Sequence, residues 1–253
     1  MSSDLPMSFQ RIAYEVREVC NGVELPVLEA AVARTGLGAG ATAIDIGTGN
    51  ATVAIRLAQR FGLAIAAVEL DPVMADLARS RIEAAAAGDC VSLTVARAAQ
   101  VLARTEPVDL IVALGTTDVS GEGRPTPEAG FVALRRSLKP GGWLLWGDVV
   151  WLAEPPAPLR QITEVTNQYT DDAGWRAAAT VAGFEVVDGR ISPQEVYDAY
   201  VRDSVAAARA WVEAHPGAPE AASILFNADR VQAILEFGRD YIGFGLYLLR
   251  NPD

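Results

Sequence analysis

The stretch Ala43-Ile44-Asp45-Ile46-Gly47-Thr48-Gly49-Asn50 decides the fold. A short apolar run ends in two glycines, and helix-spaced apolar residues continue from Ala51 to Phe61. Glycine accepts positive φ and lets backbone approach a ligand closely. The helix behind such a turn presents N–H groups that have no partner within the helix. Further along the chain, apolar runs at 64–69, 91–96, 109–114 and 143–149 read as strands. Between them, Pro72–Ala87 and Pro127–Leu138 read as helices, the latter with Thr126 as N-cap and Pro127 in its first turn. Apolar strands alternating with helices predict an α/β fold, a doubly wound and mostly parallel sheet with right-handed crossovers.

The flanks are less regular. Phe9–Val19 and Pro26–Arg34 have helical spacing. After the Pro-rich turn at 153–158, helices are expected at 159–167 and 172–181, and a strand at 184–190. Residues 193–240 read as helices broken at His215-Pro216-Gly217, and Tyr241–Leu249 as a last strand. No interdomain linker, repeat or low-complexity tract interrupts the chain. One domain is therefore expected over 1–253: a helical cover (1–36), a core sheet (42–192), a helical insertion (193–240) and a last strand (241–250).

The chain has 253 residues, 51% of them hydrophobic, so it can bury a sizeable core. Its formal net charge of −11 argues against wrapping a nucleic-acid backbone, which needs clustered cations. The single histidine, His215, removes any multi-histidine metal site, so no metal is expected. The two cysteines, Cys20 and Cys90, allow at most one disulfide, which fits a reduced, cytoplasmic setting best. No apolar run is long enough to span a membrane, and the N-terminus has no signal-peptide pattern. An Ala- and Arg-rich, Lys-poor composition fits a high-GC bacterial genome.

Glu69 lies 22 residues past Gly47 at the end of the second strand. A carboxylate there can accept hydrogen bonds from both hydroxyls of a ribose. A GxG turn also closes ordinary strand–helix units, and the third glycine of the dinucleotide fingerprint is replaced by Thr52. Asp45 beside the glycines disfavours a pyrophosphate and suits a ligand with positive charge, such as an amino group or a sulfonium.

Four segments resemble the class I S-adenosylmethionine-dependent methyltransferases. Asp45-Ile46-Gly47-Thr48-Gly49 matches that family's first motif, and Val68-Glu69-Leu70-Asp71-Pro72 its ribose-binding acidic strand end. Asp109-Leu110-Ile111-Val112 matches the fourth strand, and Leu138-Lys139-Pro140-Gly141-Gly142-Trp143-Leu144 the turn into the fifth, where Pro then Gly suits a type II turn. Tyr241–Leu249 is similar to the family's last, antiparallel strand, completing a seven-stranded Rossmann-like sheet. Gly115-Thr116-Thr117, with a Trp-bearing segment after strand five, looks like a bacterial small-molecule branch. The chain departs from relatives at Arg97, where an acid commonly meets the adenine, and at Asp118, where that branch often carries His.

The resemblance implies methyl transfer from S-adenosylmethionine to a small-molecule acceptor, with no nucleic-acid or membrane partner. A same-fold enzyme using that cofactor for cyclase, lyase or decarboxylase chemistry is the alternative. It also implies a cofactor site at Asp45, Gly47, Thr48, Gly49, Asn50, Glu69, Leu70, Arg97, Ala98, Leu114 and Gly115. Asp118 and Asp148 are candidates for acceptor orientation or base work. The bland alternatives are a turn former before Gly121 for Asp118 and a backbone-capping carboxylate for Asp148. Tyr14, Thr116, Thr117, Trp146 and Trp151 are candidate acceptor contacts, although buried tryptophans are more often core. Cys20 reads as a small apolar residue on a helix. The insertion is expected to form a lid over the acceptor pocket or a homodimer surface.

Overall fold

The computed structural model describes residues 6–116, 119–121 and 123–252. In chain order the elements are α1 (Phe9–Glu15), α2 (Leu25–Ala33), β1 (Thr42–Ile46), α3 (Thr52–Phe61), β2 (Ala64–Glu69), α4 (Pro72–Ala84), β3 (Val91–Val95), α5 (Ala98–Leu102) and β4 (Val108–Leu114). They continue as α6 (Pro127–Arg135), β5 (Leu138–Trp151), α7 (Ala157–Thr163), α8 (Asp172–Val181), β6 (Glu185–Ile191), α9 (Gln194–Ala214), α10 (Ala221–Phe237) and β7 (Ile242–Arg250).

The strands form one sheet in the order β3-β2-β1-β4-β5-β7-β6. Strands β1 to β5 pair in parallel, and β7 runs antiparallel to both β5 and β6. This is the seven-stranded, mostly parallel, Rossmann-like sheet with an antiparallel last strand that the sequence leads one to expect. Its strand order reverses between β1 and β4, and there the loops after the two strands diverge and leave a crevice. Strand alternation sends side chains to two faces. One face packs on α2, α3 and α4 through Leu28, Val32, Leu57 and Ala78; the other packs on α5, α6 and α8 through Leu102, Phe131, Leu134 and Trp175. The central strands are buried on both faces, which is why they read as unbroken apolar runs.

Several boundaries differ from expectation for local reasons. Strand β5 starts at Leu138, because Leu138 pairs with Val108 and the ladder resumes at Leu110↔Trp143. The intervening Lys-Pro-Gly-Gly segment is a turn inside the strand, with Gly141 at φ +72 as a type II turn requires. Accordingly α6 stops at Arg135 rather than Leu138. Its N-cap is Thr126, which accepts from the Ala129 N–H at 3.3 Å, with Pro127 following. Helix α4 ends at Ala84, before Ala86 turns to φ +49. Helix α1 covers only two turns, and Cys20 lies in the loop after it rather than on a helix. Helix α5 has no counterpart in the sequence reading. Cys20 and Cys90 are both free.

The two helices of the insertion do not pack on the sheet alone. Val205, Ala208, Ile224 and Ala228 of α9 and α10 enclose Phe9, Ile12 and Ala13 of α1 in a separate small core. The first helix of the chain and the segment before its last strand thus form one layer, which lies over the carboxyl ends of the strands.

Ile111, fully buried at the centre of β4, tests the sheet core. Ile111→Ala is expected to cost about 2–5 kcal/mol of unfolding free energy. Denaturant unfolding checks this as a lower midpoint at unchanged slope.

Candidate functional site

The loop after β1 is built by backbone conformations that few residues adopt. Gly47 and Gly49 have φ +68 and +58, and Ala51, the N-cap of α3, is also left-handed at φ +59. Side chains would fill the space the glycines leave. A Cβ on Gly47 would meet Thr116 Oγ1 at 3.1 Å, and one on Gly49 would meet Cys20 Sγ at 3.0 Å. Behind the loop, Asp45 is buried and accepts from the Thr48 hydroxyl at 2.6 Å. Burial raises the Asp45 carboxyl to about 6, opposed by that hydrogen bond.

Glu69 closes the other side. Its Oε2 accepts from the Gly49 N–H at 2.9 Å, and its Oε1 accepts from the N–H groups of Leu70 and Asp71 at 2.8 and 2.9 Å. The glycine turn and the acid at the end of β2 are therefore in direct contact. Burial pushes the Glu69 carboxyl above its usual range, and the three backbone donors pull it back. Asp71 N-caps α4 by accepting from the Val73 N–H at 2.8 Å, with Pro72 following.

A cleft of about 330 Å³ lies between these groups. Gly47, Gly49, Glu69, Leu70, Asp71, Met74, Ala96 and Ala98 form its floor and one end, and Leu114, Gly115 and Thr116 of the β4 loop the opposite wall. Its roof comes from the N-terminal segment, through Gln10, Tyr14, Cys20 and Asn21. Asn21 Nδ2 donates to the Leu114 carbonyl at 3.0 Å, and Gly115, at φ +60, leaves room for the Asn21 amide. The Tyr14 and Tyr200 hydroxyls are 3.2 Å apart, so the insertion reaches the roof. Among the described lining residues there is no Lys, Arg or His, and the two ionisable acids are Glu69 and Asp71.

Of the residues singled out in the sequence, the structure brings Gly47, Gly49, Glu69, Leu70, Ala98, Leu114, Gly115, Thr116 and Tyr14 to the cleft. Asp45, Thr48 and Asn50 stand behind the loop and hold it. Asn50 donates to the carbonyls of Tyr14 and Arg17 and accepts from the Thr52 N–H. Arg97 is exposed as the N-cap of α5, between lining residues Ala96 and Ala98 but not itself lining the cleft. Trp146 packs in the core against Phe131 and Trp175, with centroids 5.3 and 5.4 Å away, because strand alternation aims it at α6 and α8. Trp151 packs on Leu159, Tyr197 and Ile242 and donates to Glu164 Oε1 at 3.1 Å. Neither tryptophan lines the cleft. Thr117 and Asp118 lie outside the described residues.

Asp148 is buried near the end of β5, beside the cleft rather than on its surface. It accepts from the Val149 N–H at 2.8 Å and from Asn167 Nδ2 at 3.3 Å. The same Asn167 nitrogen donates to the Thr116 carbonyl at 2.9 Å, so the pair braces the β4 loop from behind. Burial raises the Asp148 carboxyl to about 7 against these two donors.

Sequence reasoning missed Gln10, Asn21, Met74, Asn167 and Tyr200. Gln10, Asn21, Asn167 and Tyr200 reach the site by tertiary packing of distant segments, with no local motif to announce them, whereas Met74 sits on the first turn of α4, just after Glu69. Asp71 carried a signal, since an Asp before Pro at a helix start reads as an N-cap.

Raised acids have a stability consequence. The folded state holds protons on Asp45 and Asp148 where the unfolded chain has released them, so stability falls as pH rises from about 4 to about 7. Each group contributes a slope approaching about 1.4 kcal/mol per pH unit inside its window. Asp148→Asn is expected to flatten that slope, as measured by urea unfolding of both proteins across the window.

Residues 43–142 match a family model described as a methyltransferase domain. The chain is 25% identical over 214 residues to the uncharacterised protein YjhP of Escherichia coli strain K12, covering 83% of this chain and 84% of that protein. Its fold is similar to a methyltransferase of Thiobacillus denitrificans solved in complex with S-adenosyl-L-homocysteine, at 22% identity and TM-score 0.80, covering 98% and 99% of the two chains. It is also similar to the [4+2]-cyclase SpnF, at 18% identity and TM-score 0.69, covering 90% of this chain and 80% of that one.

Proposed function

Taking as premise that residues 43–142 are a class I methyltransferase domain, we propose that this chain transfers a methyl group from S-adenosylmethionine to a small-molecule acceptor. The observation that carries the reading is the contact between the Gly47–Gly49 turn and Glu69 at the edge of an open cleft.

The residues present fit the cofactor. Positive-φ glycines leave a cradle that side chains would fill. Glu69 Oε2, with one described backbone donor, keeps a lone pair for a ribose hydroxyl. A wall with two acids and no cation among the described lining residues suits a sulfonium. Ala96, Ala98, Leu70 and Met74 offer an apolar slot for a purine. When bound, the cofactor supplies a methyl carbon already activated by positive sulfur. The protein contributes position and exclusion of water. Gly47, Gly49 and Glu69 orient the ligand, and Tyr14, Cys20 and Asn21 cover it. Asp148 and Asn167 hold Thr116 at the cleft wall, and Asp118, two residues further along the sequence, is our candidate base. The same charge balance favours a neutral or cationic acceptor over a phosphate or carboxylate. The fold likeness to a cyclase, with Arg97 in place of the usual acid, supports non-methylating chemistry as the second reading.

Incubation with S-adenosylmethionine and pooled small nucleophiles, read by mass spectrometry, tests the two readings. Methylated acceptor with S-adenosylhomocysteine is the expected product pair. A rearranged acceptor with intact cofactor would favour the second reading.

The ribose role of Glu69 makes a sharper expectation. Glu69→Gln should weaken S-adenosylhomocysteine by about 10- to 100-fold, the range for losing hydrogen bonds to a charged group. Glu69→Asp, which keeps the charge, should weaken it less; calorimetry on both variants checks the order.

A further inference from the structure

Helix α1 has seven residues, too few to be stable by itself in water. Its carboxyl end exposes carbonyls that have no partner within the helix. Two side chains from the core meet them. Asn50 Nδ2 donates to the carbonyls of Tyr14 and Arg17, each at 2.9 Å. The Arg81 guanidinium, from α4, donates to the carbonyls of Glu15 at 2.6 Å, Arg17 at 3.1 Å and Tyr14 at 3.4 Å. Arg81 also donates to the hydroxyl of Thr52, the residue standing where a dinucleotide fingerprint has its third glycine. Among the described residues Arg81 has no carboxylate at ion-pair distance, so its described donors all go to this junction. A cation at the C-terminal end of a helix is also favoured by the helix dipole.

The residues that α1 and its following loop bring to the cleft are Gln10, Tyr14, Cys20 and Asn21. Among the described residues, the one of them with a side-chain hydrogen bond to a core strand is Asn21, through the Leu114 carbonyl. On the outer side α1 is held by the insertion core, and Arg17 is placed over the Tyr200 ring at 4.8 Å. The loop after α1 is anchored in the sheet core by Val19 and Val23, whereas the carboxyl end of α1 itself meets the sheet domain through main-chain carbonyls gripped by one guanidinium and one amide.

We propose that Arg81 is a positioning residue that latches the α1 roof over the cleft and so sets how long the cofactor stays bound. The proposal rests on the cofactor reading above. It predicts an effect from a side chain that faces the back of the roof, not the ligand. A guanidinium fork gripping three carbonyls has no equivalent in a lysine, which offers a point charge.

The test uses the full chain, with S-adenosylhomocysteine as probe, in wild type, Arg81→Met and Arg81→Lys. Ligand dissociation is followed by stopped flow, and amide exchange over residues 8–24 is followed by mass spectrometry. Arg81→Met is expected to release the ligand about 10-fold faster or more, as befits loss of charge-assisted hydrogen bonds. Exchange should quicken over residues 8–24 while β1 and β4 keep their protection. Arg81→Lys should fall between the two. Wild-type dissociation in Arg81→Met overturns the latch and leaves the cofactor reading standing. Exchange that quickens equally in β1 and β4 also overturns it, since the effect would then be general destabilisation. A wild-type chain that binds no probe overturns the cofactor reading and the latch together.

Discussion

One carboxylate organises the site. Glu69 takes three backbone N–H groups, one from the turn after β1 and two from the start of α4. Those donors belong to segments that leave adjacent parallel strands, and without an acceptor they would be unpaired in a partly buried place. The acid therefore joins two loops that the sheet brings close but does not connect. Its charge is held out of bulk water by the same arrangement, which is why burial raises its proton affinity and the donors lower it.

The cleft that results has two unlike halves. Its floor belongs to the sheet, where the turns after β1 and β2 leave strands whose ends are buried on both faces. Its roof belongs to a layer assembled from the two ends of the chain, α1 from one and α9 with α10 from the other. That layer has its own apolar core, and its polar contacts with the sheet domain include those from Asn21, Asn50 and Arg81 to main-chain carbonyls. A roof held by carbonyl contacts can keep its inner side chains free for the ligand. Tyr14 lines the cleft with its carbonyl gripped by Asn50 and its hydroxyl against that of Tyr200.

Much of the sheet half was legible in the chain. The apolar runs, the Gly-Thr-Gly turn, the acid at the end of the second strand and the Pro-Gly turn into the fifth are local patterns, and each keeps its meaning in the structure. Mismatches lie where tertiary contacts override local signals. Strand β5 begins five residues early because Leu138 finds Val108 across the sheet. Trp146 and Trp151, noticed as aromatic walls, are drawn into cores by strand alternation and by the packing of α6, α7 and α8. Asp148 reads as a lone acid in sequence but sits in a brace with Asn167 and the Thr116 carbonyl.

By itself the sequence determined the order of the strands and of the helices other than α5, the glycine turn and the acid that faces it. Those features depend on spacing within one strand–turn–helix unit, and spacing is written in the chain. Only the tertiary structure decided what covers the cleft, because Tyr14 with Asn21, Arg81 and Tyr200 come from three separate segments. Their meeting depends on where α1, α4 and α9 pack, which follows from buried apolar surface and from unpaired carbonyls at a helix end rather than from any local motif.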